Sequence, residues 1–181
     1  MKRSFARGLL LRAGTVDDFP VLREVDDDAA LLYEQAGLHL DLPDDHEFVL
    51  AERAHWRRSL ADGSAIVACD LHGRAVGFAA VTCLDGQPYL AQLSVRRTHM
   101  RRGIGSALLY AVLDAAPADS VSMWLTTYDH LPWNRAFYER SGFARVEAPD
   151  CGADMRAELE LERGALPLPE MRIAMRKDLR R

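Results

Sequence analysis

The stretch richest in chemistry is Val95-Arg96-Arg97-Thr98-His99-Met100-Arg101-Arg102-Gly103-Ile104-Gly105-Ser106. Four arginines fall within seven residues, and a Gly-x-Gly turn follows them. Behind the turn, Ile104, Leu108 and Val112 recur as on the inner side of a helix. A helix N-terminus carries unpaired N–H groups and partial positive charge, and both favour anions. Glycine lets the backbone approach a phosphate closely, and the arginines add charge attraction. A pyrophosphate is the ligand this arrangement suits. The plain alternative is an ordinary helix start beside a solvated basic loop. No GxxxxGK[ST] is present, and the third glycine position of a GxGxxG is occupied by Leu108.

Elements must position this loop. Residues 8–13 read as a strand. A helix capped by Thr15 or Asp17 runs to about Gln35, with Phe19, Leu22, Val25, Ala29 and Leu32 on one face. A second helix opens at Asp44 or Asp45 and closes at Gly63. The period then changes. Residues 64–70, 74–82 and 88–95 read as three strands, separated by turns at Leu71-His72-Gly73 and Asp85-Gly86. Helices follow over about 105–116 and 132–141, with a strand over 121–127 between them. Residues 143–147 read as a strand, 154–163 as a charged helix, and 171–176 as the last strand. The pattern predicts an α/β (α+β) fold: one mixed, mostly antiparallel central sheet flanked by helices, in a single domain over 1–181.

The chain has 181 residues, 23 Lys+Arg against 27 Asp+Glu, a net charge of −4, and 49% hydrophobic residues. That hydrophobic fraction excludes wholesale disorder, and the net acidity argues against nucleic acid as a partner. Charge is nonetheless segregated: residues 86–113 hold four arginines and no Asp or Glu, so this segment carries +4 and the rest −8. Cys69, Cys83 and Cys151 form no CxxC pair, as expected of thiols in a reducing cytoplasm. Leu9-Leu10-Leu11 is too short for a signal-peptide core, and no apolar run reaches the roughly 18–20 residues of a membrane span. The six histidines show no i,i+4 pair and no HExxH, so no metal is expected. G-x-S-x-G is absent as well.

The string V-x4-(Q/R)-x-x-G-x-G, at the end of a strand in a β-β-β-α-β-α order, resembles the acyl-CoA-binding motif of the GNAT superfamily of N-acetyltransferases. The downstream run Asn134-Arg135-Ala136-Phe137-Tyr138-Glu139-Arg140-Ser141-Gly142-Phe143 is similar to that family's second cofactor-side element. The resemblance implies that Met100, Arg101, Arg102, Gly103, Ile104, Gly105 and Ser106 hold the pyrophosphate of acetyl-CoA. It implies that the backbone of Leu93, Ser94 and Val95 pairs with pantetheine, where one N–H polarises the thioester carbonyl. The cofactor would lie where two central strands diverge. Asn134 would bond the pantetheine or phosphate region, or else cap its helix. Tyr138 would protonate the departing thiolate, a task that suits a phenol of pKa about 10, or else anchor its helix.

The sequence departs from the family at two positions. Met100 stands where Gln or Arg is usual. Gln92 stands at the position nearest to the strand-borne glutamate base of many relatives, and an amide is no base. Glu34, His39 and Asp41 are the alternative candidates for the base, with solvated surface as their plainer reading. The implied activity is acetyl transfer from acetyl-CoA to a primary amine of a small molecule or peptide, by direct attack in a ternary complex. Two alternatives stay open: a noncatalytic acyl-CoA-binding or regulatory module, and a transferase using another acyl donor. No nucleic-acid or membrane partner is expected, and a homodimer is left open.

Overall fold

A computed structural model describes residues 8–40 and 42–179. Its elements, in chain order, are β1 (Leu10–Ala13), α1 (Phe19–Gln35), α2 (Glu47–Ala61), β2 (Ile66–Cys69), β3 (Ala75–Leu84), β4 (Gln87–Val95), α3 (Ile104–Asp114), β5 (Ser122–Tyr128), α4 (Arg135–Arg140), β6 (Ala144–Val146), α5 (Ala153–Ala165) and β7 (Arg172–Asp178). The strands form a seven-stranded mixed sheet in the order β1-β2-β3-β4-β5-β7-β6. Among the described residues, no helix is long and apolar enough to cross a membrane.

The chain divides into two compact units, and β4 contributes residues to each: Gln87–Leu90 to one, Ala91–Val95 to the other. The first unit holds Met1–Asp41, Glu52–Thr82 and Ala91–Ala116. Its core gathers Leu22 and Val25 of α1, Trp56 and Leu60 of α2, and Val67, Phe78 and Ala80 of β2 and β3. The spacing of apolar residues on α1 dictates this docking: Leu22, Val25 and Ala29 all turn inward. Trp56 meets Phe78 edge-on at 5.2 Å. Buried Ser59 ties α2 to β3, its Oγ accepting from the Val81 N–H at 2.9 Å.

The start of α1 differs from the sequence reading. A 3-10 turn over Val16–Asp18 comes first, and the α-helix begins at Phe19. The reason is Asp18, which accepts from the Thr15 N–H at 2.8 Å and takes the Arg12 guanidinium on both oxygens at 2.6 and 2.7 Å. The Arg12 hydrogen bonds hold the Asp18 carboxyl down at about 2.

The second unit holds Leu42–Ala51, Cys83–Leu90 and Pro117–Arg181. β5 and β7 pair antiparallel from Ser122↔Asp178 to Tyr128↔Arg172, and β6 adds at Ala144↔Arg176. β4 joins β5 in parallel at Tyr89↔Trp124. The Asp85-Gly86 turn has positive φ at both residues, 49° and 71°, as a two-residue hairpin requires. Asp85 also caps α5, its carboxylate accepting from the N–H groups of Asp154 at 3.0 Å and Met155 at 2.9 Å, while its own N–H donates to the Asp154 carboxylate at 3.0 Å. A buried network anchors this half of the sheet. Arg172 pairs with Glu162 at 2.7 Å, the Thr126 hydroxyl donates to Glu162 at 2.6 Å, and the Tyr89 hydroxyl lies 3.1 Å from Thr126 Oγ1. Burial pushes the Glu162 carboxyl up, against the pull of Arg172.

Candidate functional site

In the first unit, Leu93, Ser94 and Val95 end β4, and the chain turns through Arg96–Arg102 into α3. Gly77 of β3 lies beneath this strand end. A Cβ there would stand 2.9 Å from the Ser94 carbonyl oxygen and 3.2 Å from Leu108 of α3. Only a glycine allows the two strands and α3 to approach so closely.

The turn is built to start a helix. Arg101 takes a positive φ of 60°, and Gly103, the residue before the first turn of α3, takes 81°. No side chain caps α3, whose first intrahelical bond runs from the Ala107 N–H to the Gly103 carbonyl at 2.9 Å. The N–H groups of Ile104, Gly105 and Ser106 precede that bond, in the first turn, where helical partners are missing. Ile104 is buried and anchors the turn, whereas Arg101, Arg102 and Gly103 are exposed and Gly105 and Ser106 half-buried. Met100 is half-buried in the turn, its N–H bonded to the Arg97 carbonyl at 3.2 Å. An anion over this helix start would meet backbone N–H groups and two exposed guanidinium arms.

The other two arginines have different work. Arg96 pairs with Glu24 at 3.3 Å, and Arg97 with Asp28 at 3.2 Å. Both carboxylates come from α1. Asp26, from the same helix, accepts from the Ser94 hydroxyl at 2.6 Å and from the Gln92 side-chain amide. Burial pushes the Asp26 carboxyl above the usual range. The Ser94 and Gln92 hydrogen bonds oppose that rise, nearby Asp27 adds to it, and Arg53 opposes it.

Asp26 is the polar residue that sequence reasoning missed. Asp26-Asp27-Asp28 reads as a solvated acidic run when taken as a block. Helical phase separates the three: Asp26 is four residues past Leu22 and three before Ala29, on the buried stripe. Of the other base candidates, Glu34 and His39 are exposed, and Asp41 lies outside the described residues.

In the second unit, Asn134 and Tyr138 sit together on α4. Asn134 precedes the first turn and is buried, at 8% exposure. Its carbonyl accepts from the N–H groups of Phe137 at 2.9 Å and Tyr138 at 3.2 Å, while its side chain makes no capping bond to the helix. Its role at the helix start is therefore a backbone one. The helix is shorter than the sequence suggests, because Asn134 has non-helical angles of −93° and −89° and leaves Pro132-Trp133 in a turn. Tyr138 is half-buried, its ring edge-on to Phe137 at 5.0 Å and to Phe143 at 5.8 Å. Gly142, at φ 89°, ends the helix, and the Phe143 N–H returns to the Tyr138 carbonyl at 3.1 Å. The ring is thus oriented by packing on two sides.

Among the described residues, no three His, Cys, Asp or Glu side chains are grouped so as to hold a metal ion.

A seven-stranded mixed sheet flanked by helices, with a glycine-led helix start after β4, defines the acetyltransferase fold of the GNAT class. Residues 24–143 match the model of the acetyltransferase (GNAT) family, and the chain belongs to that family. Similar solved structures include N-acetylglutamate synthase from Neisseria gonorrhoeae, complexed with coenzyme A and N-acetyl-glutamate. It is 18% identical, with a TM-score of 0.69 over 99% of this chain and 36% of that one, so this chain spans about a third of its length. A GNAT-family acetyltransferase from Staphylococcus aureus is 16% identical, with a TM-score of 0.68 over 95% of this chain and 99% of that one. The PaiA N-acetyltransferase from Thermoplasma acidophilum, in complex with coenzyme A, is 14% identical, with a TM-score of 0.62 over 94% and 98%.

Proposed function

We propose that this protein transfers an acetyl group from acetyl-CoA to a primary amine of a small molecule or peptide, by direct attack of the amine. The observation that carries the reading is the start of α3. A left-handed Gly103 leaves the helix without a side-chain cap, next to exposed Arg101 and Arg102 and after the strand end Leu93–Val95. Such a start suits a pyrophosphate. Family membership and the coenzyme A in the Neisseria and Thermoplasma structures support an acyl-CoA as that ligand.

In this reading the N–H groups of Ile104, Gly105 and Ser106 hold the pyrophosphate, with Met100 lining the turn and Arg101 and Arg102 adding charge. The main chain of Leu93–Val95 pairs with pantetheine, and one N–H there polarises the thioester carbonyl. The acyl-CoA supplies an activated carbonyl and a thiol leaving group. Asn134 bonds the cofactor, and Tyr138 donates its hydroxyl proton to the departing sulfur.

Thermal melting with added acetyl-CoA, followed by a panel of primary amines read by thiol release, tests the proposal. Acetyl-CoA should raise the melting temperature, and at least one amine should release thiol in a protein-dependent way. No shift at millimolar acetyl-CoA would sink the reading. A shift with no turnover across the panel would replace it with a noncatalytic acyl-CoA-binding module.

A further inference from the structure

Resting on the acyl-transfer reading, we propose that Asp26 is the base that deprotonates the acceptor amine, working from α1 over the side chains of Gln92 and Ser94.

Three observations carry this assignment. Asp26 lies on the buried stripe of α1, and the residue as a whole is half-buried. Its Oδ1 accepts both from the Ser94 hydroxyl, at 2.6 Å, and from the Gln92 amide. Gln92 itself lies 3.0 Å from Ser94 Oγ. Both donors to Asp26 land on one oxygen, so neither engages Oδ2. The carboxylate is thereby held in place through one oxygen, and the other takes neither of these bonds. It is also fixed to the strand whose main chain, at Leu93–Val95, is assigned to the acyl group. Gln92 is no base, but its amide orients one.

The charged groups around Asp26 tune it for proton transfer. Burial and Asp27 on the same helix raise its affinity for a proton. Ser94 and Gln92 of β4 and Arg53 of α2 lower it. A carboxylate moved toward the working pH is a better base than a solvated one.

Asp26 takes one proton from the acceptor ammonium and later releases it to water. The freed nitrogen lone pair forms the C–N bond to the acyl carbon. The C–S bond breaks, and its electron pair goes to sulfur, which takes the Tyr138 proton. The second amine proton restores the tyrosine.

The experiment is the pH profile of kcat/KM for wild type, Asp26→Asn and Gln92→Leu, with acetyl-CoA affinity measured for each. Wild type should lose activity on the acid side as Asp26 becomes protonated. Asp26→Asn should lose about a hundredfold or more in kcat, keep its acetyl-CoA affinity, and show no such acid limb. Gln92→Leu removes a donor to the charged carboxylate, so the limb should move to higher pH. A carboxylate that only supports the fold would lower the melting temperature without moving the limb. Asp26→Asn activity within threefold of wild type, or an unmoved limb in Gln92→Leu, overturns the assignment while leaving acetyl transfer intact. If Asp26→Asn does not fold, the Gln92→Leu limb decides. Wild type that binds acetyl-CoA but turns over no amine overturns both proposals together.

Discussion

Asp28 accepts a hydrogen bond from the backbone N–H of Arg97 at 2.7 Å, while its other oxygen holds the Arg97 guanidinium at 3.2 Å. One side chain of α1 therefore fixes both the main chain and the side chain of the turn between β4 and α3. The Arg97 N–H is the largest influence holding the Asp28 carboxyl below its usual range. A carboxylate depressed in the folded state adds stability above its unfolded pKa, and loses it as pH falls through the folded value. Asp28→Ala should cost about 1 kcal/mol at neutral pH, since the pair is partly solvent-screened. The gap from wild type should narrow as pH falls below the ordinary aspartate pKa of about 3.9. Chemical denaturation at several pH values checks this, and a gap independent of pH would show that the contact is not electrostatic.

Gly103→Ala places a side chain in the left-handed region, at φ 81°. Among the described residues, nothing beyond the chain neighbours lies within 4 Å of the added Cβ, so the penalty is backbone strain of about 1–2 kcal/mol and not a clash. A helix start that relaxes from this geometry re-aims its N–H groups, and acetyl-CoA affinity should fall several-fold by calorimetry. Gly164→Ala is the contrast. Gly164 lies within α5 with open space around it and no positive φ, so alanine there should stabilise by about 0.5–1 kcal/mol.

Tyr138→Phe keeps the ring against Phe137 and Phe143 and removes only the hydroxyl. If that hydroxyl protonates the leaving thiolate, kcat should fall about a hundredfold or more with acetyl-CoA affinity and melting temperature near wild type. A variant with unchanged kcat at every pH would return Tyr138 to a packing role.

Arg172→Met leaves Glu162 buried without its cation. Glu162 is 5% exposed, and its carboxylate relies on the 2.7 Å pair and the Thr126 hydroxyl. The loss should be about 3–5 kcal/mol in urea denaturation. Adding Glu162→Gln removes the stranded charge, so the double variant should recover part of that loss.

Much of the fold was legible because its signals are local. The Asp85-Gly86 turn, the break at Gly142 and the inward face of α3 each follow from a few adjacent residues whose backbone preferences or periodicity leave few choices. The helix start at Gly103 was legible for the same reason. α1 was harder: Asp18 reaches back to Arg12 and Thr15, and this contact delays the helix by a turn.

The residues around the candidate base show the limit. By itself, the sequence determined that four arginines precede a glycine-led helix, that three aspartates stand together on α1, and that no glutamate occupies position 92. Only the tertiary structure decided what they do. Docking of α1 sends Asp28 and Glu24 to Arg97 and Arg96, leaving Arg101 and Arg102 exposed, and turns Asp26 toward Gln92 and Ser94. The reason is physical. Partners separated by 66 to 72 residues along the chain are selected by how helix and strand pack, and burial, which only packing creates, makes one carboxylate of the three differ from its neighbours.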